Sequence, residues 1–400
     1  MVMTDVQESG TRRSRTGHAP RRHALYVTHG SFSHINDQLL AALKVVLPDV
    51  QFERVDIAAA LKKNYPALMR CALGVQSEYG VSSWQSREKI RYRLARSAAY
   101  NAEARAVIAR HVGKKTYDFT IQTQSLFNAA IRGTPNYVYT DHVARAGGKD
   151  RQSIVGVPSK AWFDCEQGIY EQADHVFTFG PSIRRFLTDT YKIPARKTSA
   201  IGAGASVMPT RPVDTSAARY GRRNIVFVGV EWERKGGPEL LAAYLELRKR
   251  LPDVTLTILG CSPEVPADAG IEVLGRRPLS ELEDHFHNAA CFCMPSRLEP
   301  FGVVFVEAMQ FGLPVVSTDV GDIPAIVRQG ETGFITPQGN IAALTDALFD
   351  TLSDADRCRA MGLKALDRAR CFTWQAVARQ IAAKLPVAAN PDIPLLEPTW

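Results

Sequence analysis

The sequence is short of several features that would point to common chemistries. Seven cysteines are scattered over 400 residues. That is too sparse for a disulfide framework, and an odd count suits a reducing compartment. Cys291 and Cys293 stand two apart in an apolar run; strand alternation puts both on one face, and two ligands do not make a zinc site. No run of 18 apolar residues occurs, which argues against a membrane-spanning helix. The first 20 residues carry arginines but no apolar segment of the kind a secretory signal needs. H-E-x-x-H and G-x-x-x-x-G-K-[ST] are missing, and no G-x-G-x-x-G follows the first apolar run. Metallopeptidase, P-loop ATPase and dinucleotide oxidoreductase chemistry therefore lack their usual hardware. A cytoplasmic protein, peripheral at most on the inner face of a membrane, is the expectation.

What is present is ordinary globular material: 45% hydrophobic, 22% charged and 8% aromatic residues, with 28 Gly and 23 Pro in no fixed period. A chain this long divides most naturally into two domains. Lys and Arg number 49 against 41 Asp and Glu, a formal charge of +8. The excess gathers at Arg12, Arg13, Arg15, Arg21 and Arg22 and again from Arg87 to Lys115. Such charge favours anionic partners in general. Aromatics are too few beside these arginines for base stacking, so nucleic acid is not an expected partner.

Residues 1–20 read as a disordered basic tail. An α/β rhythm then runs through residues 21–208. Ala24–Val27 form a strand ending at Gly30-Ser31, Asn36–Leu47 a helix, and Val50–Ile57 a strand. Trp84–Val112 is a long helical candidate with a break, with Ile90, Leu94, Ala98 and Ala102 at four-residue spacing. Asp118–Gln122 is a strand, Leu126–Ile131 a short helix, and Asn136–Thr140 a strand closing on Asp141-His142. Residues 209–223, with Pro209 and Pro212, have linker composition. The rhythm restarts at Asn224 and continues to residue 371. Within it, Ser280 reads as a helix N-cap with Glu283 at N3. Residues 372–400 hold a last amphipathic helix and a Pro-rich tail. Two doubly wound α/β domains facing a cleft follow, with ligands at the carboxyl ends of their strands.

Two stretches of the second half carry chemistry. In Pro295–Ala308 a strand gives way through a turn to a hydrophobic helix. Gly302 lets a ligand approach the backbone, and free N–H groups at Phe301, Gly302 and Val303 would face an anion with the helix dipole behind them. Glu299 and Glu307 flank those donors. Two acids around exposed amides suit a nucleotide sugar, whose diphosphate wants donors and whose hydroxyls want acceptors. The second stretch runs from Phe227 through Gly229 to Arg234-Lys235-Gly236-Gly237, a strand, a Gly turn and two cations before a helix. That order makes a phosphate clamp. Asp354-Ala355-Asp356 has the D-x-D spelling but opens a late helix, so capping is its simpler role and no metal is expected.

The string Pro-Ser-Arg-Leu-Glu-Pro-Phe-Gly at 295–302, with Glu299 and Glu307 spaced as E-x7-E and Gly-Leu-Pro-Val-Val at 312–316, resembles the retaining glycosyltransferases of family four. Residues 319–324 and 330–334 resemble the family's following segments. The likeness covers most of residues 224–380 and weakens through 24–206. It implies a GT-B fold, two Rossmann-like domains with the C-terminal helix crossing back to the first. It also implies a hexosyltransferase moving sugar from a nucleoside-diphosphate sugar, UDP- or GDP-linked, to a hydroxyl acceptor with retention. In that reading Lys235 binds the diphosphate, Arg234 adds charge in place of the arginine that many members carry at Val230, and Glu299 holds donor-sugar hydroxyls while Glu307 holds the ribose. Arg276 and Arg277 stand where the family meets the nucleobase. His142 contacts the donor sugar, Asp141 orients its ring or positions the acceptor, and Gly30-Ser31 approach the donor phosphates. No tightly bound cofactor is implied. The acceptor is left open among a glycan, a small molecule and a lipid-linked or anionic compound, with membrane contact through residues 87–115 as a further partner. A nucleotide-sugar epimerase, a phosphorylase-like enzyme and a non-catalytic nucleotide-sugar binder remain the alternatives.

Overall fold

The computed structural model describes residues 22–31, 34–146, 156–267 and 269–400; the basic tail expected at 1–20 lies outside them. The first domain has strands β1 (Arg22–Thr28), β2 (Val50–Asp56), β3 (Phe119–Thr123), β4 (Asn136–Thr140), β5 (His175–Thr178) and β6 (Thr198–Ala200). The second has β7 (Asn224–Val228), β8 (Thr255–Leu259), β9 (Ile271–Gly275), β10 (Cys291–Cys293), β11 (Val315–Thr318) and β12 (Gly333–Thr336). All pairs are parallel, in the orders β2-β1-β3-β4-β5-β6 and β12-β11-β10-β7-β8-β9. The second order is that of a dinucleotide-type doubly wound sheet, and the first begins as a flavodoxin-type sheet does. β3 and β4 are buried along their whole length, as strands covered by helices on both faces must be.

Two local expectations are corrected, and the break expected in the long basic stretch is found. Residues 126–131 form no helix, because side chains capture the amides a helix would need. Asn101 Oδ1 accepts from Asn128 N, Gln122 Oε1 from Ala129 N, and Asn128 Oδ1 from Ala130 N, each at 2.9 Å. Ser280 does not cap its helix, which begins at Leu279 after Pro278; Glu283 accepts instead from Thr210 N at 2.7 Å. The long basic stretch is two helices, Arg87–Leu94 and Ala98–Val112. The restart is set by Ser97, whose hydroxyl accepts from Tyr100 N at 3.2 Å and so caps the second helix. Ahead of them stands the helix Tyr65–Tyr79, which the apolar pattern had not revealed.

The helix Trp374–Ala382 packs against Ile35–Val46 of the first domain. Gln380 Nε2 donates to Ile201 O at 3.1 Å, and Tyr137 OH to Lys384 O at 3.1 Å. The chain's end thus returns to the domain where it began. Residues 383–400 touch it as well: Asn390 N donates to Val46 O at 2.7 Å and Trp400 Nε1 to Ala200 O at 3.0 Å. In the segment expected to join the domains, Arg219 is wholly buried and donates to the carbonyls of Asp214, Phe286, Ala289 and Phe311. That set of acceptors ties residues 214–220 to the second domain.

Candidate active site

In the second sheet the crossovers reverse direction between β7 and β10, and that gap at the strands' carboxyl ends is where doubly wound sheets hold ligands. Both predicted stretches open into it. Gly229 follows β7, and its N–H donates to Leu259 O at 2.9 Å. A Cβ there would stand 3.0 Å from Lys235 Cγ, so glycine leaves room for the lysine stem to pass. β10 leads into the loop carrying Glu299. The two loops are joined twice, by Arg297 N to Arg234 O at 2.9 Å and by Arg234 Nη1 to Leu298 O at 2.7 Å.

The side chains of Lys235 and Glu299 meet as an ion pair, 13% and 10% exposed. Arg234 is held by Glu231, and its Nη1 stands 3.8 Å from Glu299 Oε2. Beside the pair begins the helix Val303–Gln310, with Gly302 at its N-cap in the left-handed region and no side-chain cap. Among the described residues the amides of Phe301, Gly302 and Val303 meet no hydrogen-bond acceptor. A Cβ on Gly302 would meet the Phe305 ring at 2.4 Å and Glu299 Cγ at 3.0 Å. A cation, a carboxylate and a bare helix start therefore share one gap. Such a set offers donors to an anion and, once the lysine turns to that anion, an acceptor to hydroxyls.

Glu307 sits on the same helix but points elsewhere. It is 8% exposed, and its Oε1 accepts from Ser206 N at 3.1 Å, in the segment between the domains. Burial raises its carboxyl to about 7, against the lowering pull of the Ser206 and Val207 amides. Arg276 and Arg277 follow β9, the outer strand beyond β8. Arg276 is exposed, while Arg277 donates to Leu274 O at 3.1 Å.

From the first domain, the end of β5 reaches this loop. The Phe179 ring stands edge-on to Phe301 at 5.7 Å. Asp141 and His142 lie on the neighbouring loop after β4. Gly30 and Ser31 follow β1 and, with Asp56, Arg54 and Lys62, line a cavity of about 310 Å³; Gly30 N donates to Asp56 Oδ1 at 3.2 Å. The structure thus gathers Gly229, Arg234, Lys235, Glu299, Phe301, Gly302 and Val303 around one gap. It sets Glu307 at the hinge, and leaves Arg276 and Gly30-Ser31 on separate loops.

Two features escaped the sequence reading. Asp322 is 1% exposed, and its Oδ1 accepts from Ser182 N at 2.8 Å. Ser182 opens the helix Pro181–Asp189, whose own N-cap, Gly180, has no side chain to offer. A carboxylate of one domain thus caps a helix of the other. A Cβ on Gly180 would overlap it, 1.9 Å from Asp322 Oδ2. Asp322 N also donates to Pro300 O at 3.1 Å, so the cap is tied to the Glu299 loop. The second feature is Glu166, 2% exposed, which accepts from Ala144 N at 2.9 Å and from the Tyr170 and Tyr191 hydroxyls. Burial is the main influence on its carboxyl and raises it. Ser125 Oγ lies 3.5 Å from it and donates to His142 O at 3.2 Å. The buried acid holds the loop that presents Asp141 and His142. An acid on the face shared by Trp162, Ile169 and Tyr170 was the available signal; for Asp322 there was none.

Residues 222–354 match the family model described as Glycosyl transferases group 1. The chain is 29% identical over 272 residues to the D-inositol 3-phosphate glycosyltransferase of Corynebacterium efficiens, a match covering 62% of this chain and 64% of that one. It is 36% identical over 147 residues to the GDP-mannose-dependent alpha-(1-6)-phosphatidylinositol monomannoside mannosyltransferase of Mycolicibacterium smegmatis, covering 32% and 38% of the two chains. These matches thus span less than two thirds of either relative. Sucrose-phosphate synthase from Thermosynechococcus elongatus superposes with a TM-score of 0.61 at 18% identity, over 90% of this chain and 98% of its own. The two-domain GT-B architecture expected from the sequence is the one found.

Proposed function

We propose that this chain, whose residues 222–354 match the glycosyl transferases group 1 model within a GT-B fold, moves a sugar from a nucleoside-diphosphate sugar to a hydroxyl acceptor with retention at the anomeric carbon. The observation that carries the reading is the Lys235–Glu299 pair beside the bare amides of residues 301–303. In the reaction the bond from the anomeric carbon to the diphosphate oxygen breaks and a bond to the acceptor oxygen forms on the same face. The acceptor proton passes to the departing phosphate. Negative charge grows on the leaving diphosphate, where Lys235, Arg234 and the helix amides stabilise it. Glu299, released as Lys235 turns to phosphate, accepts from donor-sugar hydroxyls. Arg276 serves the base, and His142 with Asp141 the transferred sugar and acceptor; Glu307, turned to the Ser206 amide, is left out of the donor contacts. These cations and amides meet the diphosphate charge without a metal. The mannosyltransferase's name favours a GDP-sugar as donor, and both relatives' names favour a polyol or lipid-linked acceptor, which suits a role in glycolipid or polysaccharide synthesis.

A thermal-shift screen of UDP-, GDP-, ADP- and dTDP-sugars, followed by NMR of the products, tests this. One donor raises Tm, and transfer needs an added acceptor. Lys235→Ala and Glu299→Gln each lower turnover by about 10²-fold or more, and EDTA leaves wild-type activity unchanged. A product formed without acceptor would favour the epimerase. Wild-type kinetics in both variants would remove the site, and loss of activity with EDTA, restored by Mn²⁺, would overturn the metal-free mechanism.

A further inference from the structure

The helix Tyr65–Tyr79 is apolar on two sides. Its inner side, Ala67, Cys71 and Val75, is buried in the first domain. Its outer side turns Tyr65, Met69 and Leu73 to solvent at four-residue spacing, 77%, 63% and 66% exposed. Val81 and Trp84 in the following turn are 76% and 45% exposed. Trp84 Nε1 donates to Gln76 Oε1 at 2.5 Å; Gln76 lies one turn beyond Leu73, so the indole is pinned to the same face. A contiguous exposed apolar face of this kind marks an interaction surface.

The charge around it is one-sided. Residues 57–97 hold eight Lys and Arg against two Asp and Glu, a net +6 in a chain whose total is +8. Lys62 and Lys63 stand exposed at one end of the face, Arg87 and Arg91 at the other. Of the two acids, Glu78 is engaged with Ala98 N and Ser159 Oγ. Arg93 is buried and donates to the Ser82 and Ser83 hydroxyls at 3.0 Å. It fastens the Val81–Trp84 turn to the helix Arg87–Leu94, so apolar face and cationic rim move as one body. The basic stretch at 87–115 is therefore only partly outward: Arg93 faces in, and Lys115 pairs with Glu53 at 2.6 Å.

We propose that this face docks the protein on an anionic lipid bilayer. Tyr65, Met69, Leu73, Val81 and Trp84 enter the boundary between headgroups and acyl chains, and the flanking cations meet lipid phosphates. A second copy is a poor occupant, because two such faces bring like charge together. No described helix is long and apolar enough to cross a membrane, so the protein lies on the surface. The proposal rests on this face alone and stands apart from the glycosyl-transfer reading; its readout is binding, not turnover.

The test is co-sedimentation of the full chain with vesicles of phosphatidylcholine, with and without phosphatidylglycerol. Wild type binds the anionic vesicles at least tenfold more tightly than pure phosphatidylcholine, binding weakens with salt, and Trp84 emission shifts to the blue. Met69→Asp with Leu73→Asp loses at least tenfold of that affinity while the melting temperature and donor hydrolysis stay at wild-type values. Lys62→Glu with Lys63→Glu abolishes the preference for phosphatidylglycerol. Equal binding of wild type to both vesicles, or unchanged binding of the Met69/Leu73 variant, overturns the proposal. So does light scattering that shows a wild-type dimer made monomeric by that variant.

Discussion

Glu299 and Glu307 share one loop and helix, yet Glu299 meets a lysine at the candidate site while Glu307 is sealed against two backbone amides. The difference has a pH signature. A carboxyl raised from the ordinary 4.5 to about 7 in the fold binds its proton more tightly folded than unfolded. Its contribution to stability is therefore complete below about pH 4.5 and is lost as pH rises through about 7. The loss is on the order of 3 kcal/mol at most. Glu307→Gln keeps an oxygen for the Ser206 amide and cannot ionise. Urea midpoints measured between pH 4.5 and 7.5 should fall less steeply in the variant than in wild type; parallel curves would show that Glu307 titrates alike in both states. The Lys235 and Glu299 loops were legible because each is signalled by its own contiguous string. The hinge contact of Glu307 was not, since Ser206 lies 101 positions away and no spacing rule joins them.

At the scale of elements, the helix Pro181–Asp189 borrows its cap from the other domain, and this can be exchanged for a local one. Gly180→Ser alone forces a side chain into the space of Asp322 and should cost about 1–3 kcal/mol. Asp322→Gly alone removes the cap, costing about 1 kcal/mol. Together the two should cost less than their sum, because the introduced hydroxyl then caps the helix from its own N-cap position, where the carboxylate stood. Chemical denaturation of the four proteins measures the coupling; strict additivity would show that the introduced hydroxyl neither clashes with Asp322 nor replaces its cap. The same competition between local and distant partners separates the element that was legible from the one that was not. Ser97 restarts a helix with its own hydroxyl, a signal within four residues. Residues 126–131 lose theirs partly to Asn101, which only the packing of the preceding helix brings near.

In the molecule as a whole, the last eighteen residues act as a strap. They touch the first domain at Val46 and Ala200 and the second where Thr399 meets Arg328 and Arg368. The Trp400 ring lies 6.4 Å from Phe301 in the candidate site. Removing residues 386–400 should lower Tm by roughly 5 °C and split the calorimetric transition in two. One unshifted transition would show that the crossover helix alone couples the domains. The amino-acid order by itself determined two doubly wound halves and the Lys235 and Glu299 loops of the second, because strand alternation, helix starts and a glycine turn are written in neighbouring residues. Only the tertiary structure decided what Glu307, Asp322 and Glu166 do. A buried carboxylate takes whichever amides the chain's path brings within about 3 Å, and that path is set by how the two sheets pack.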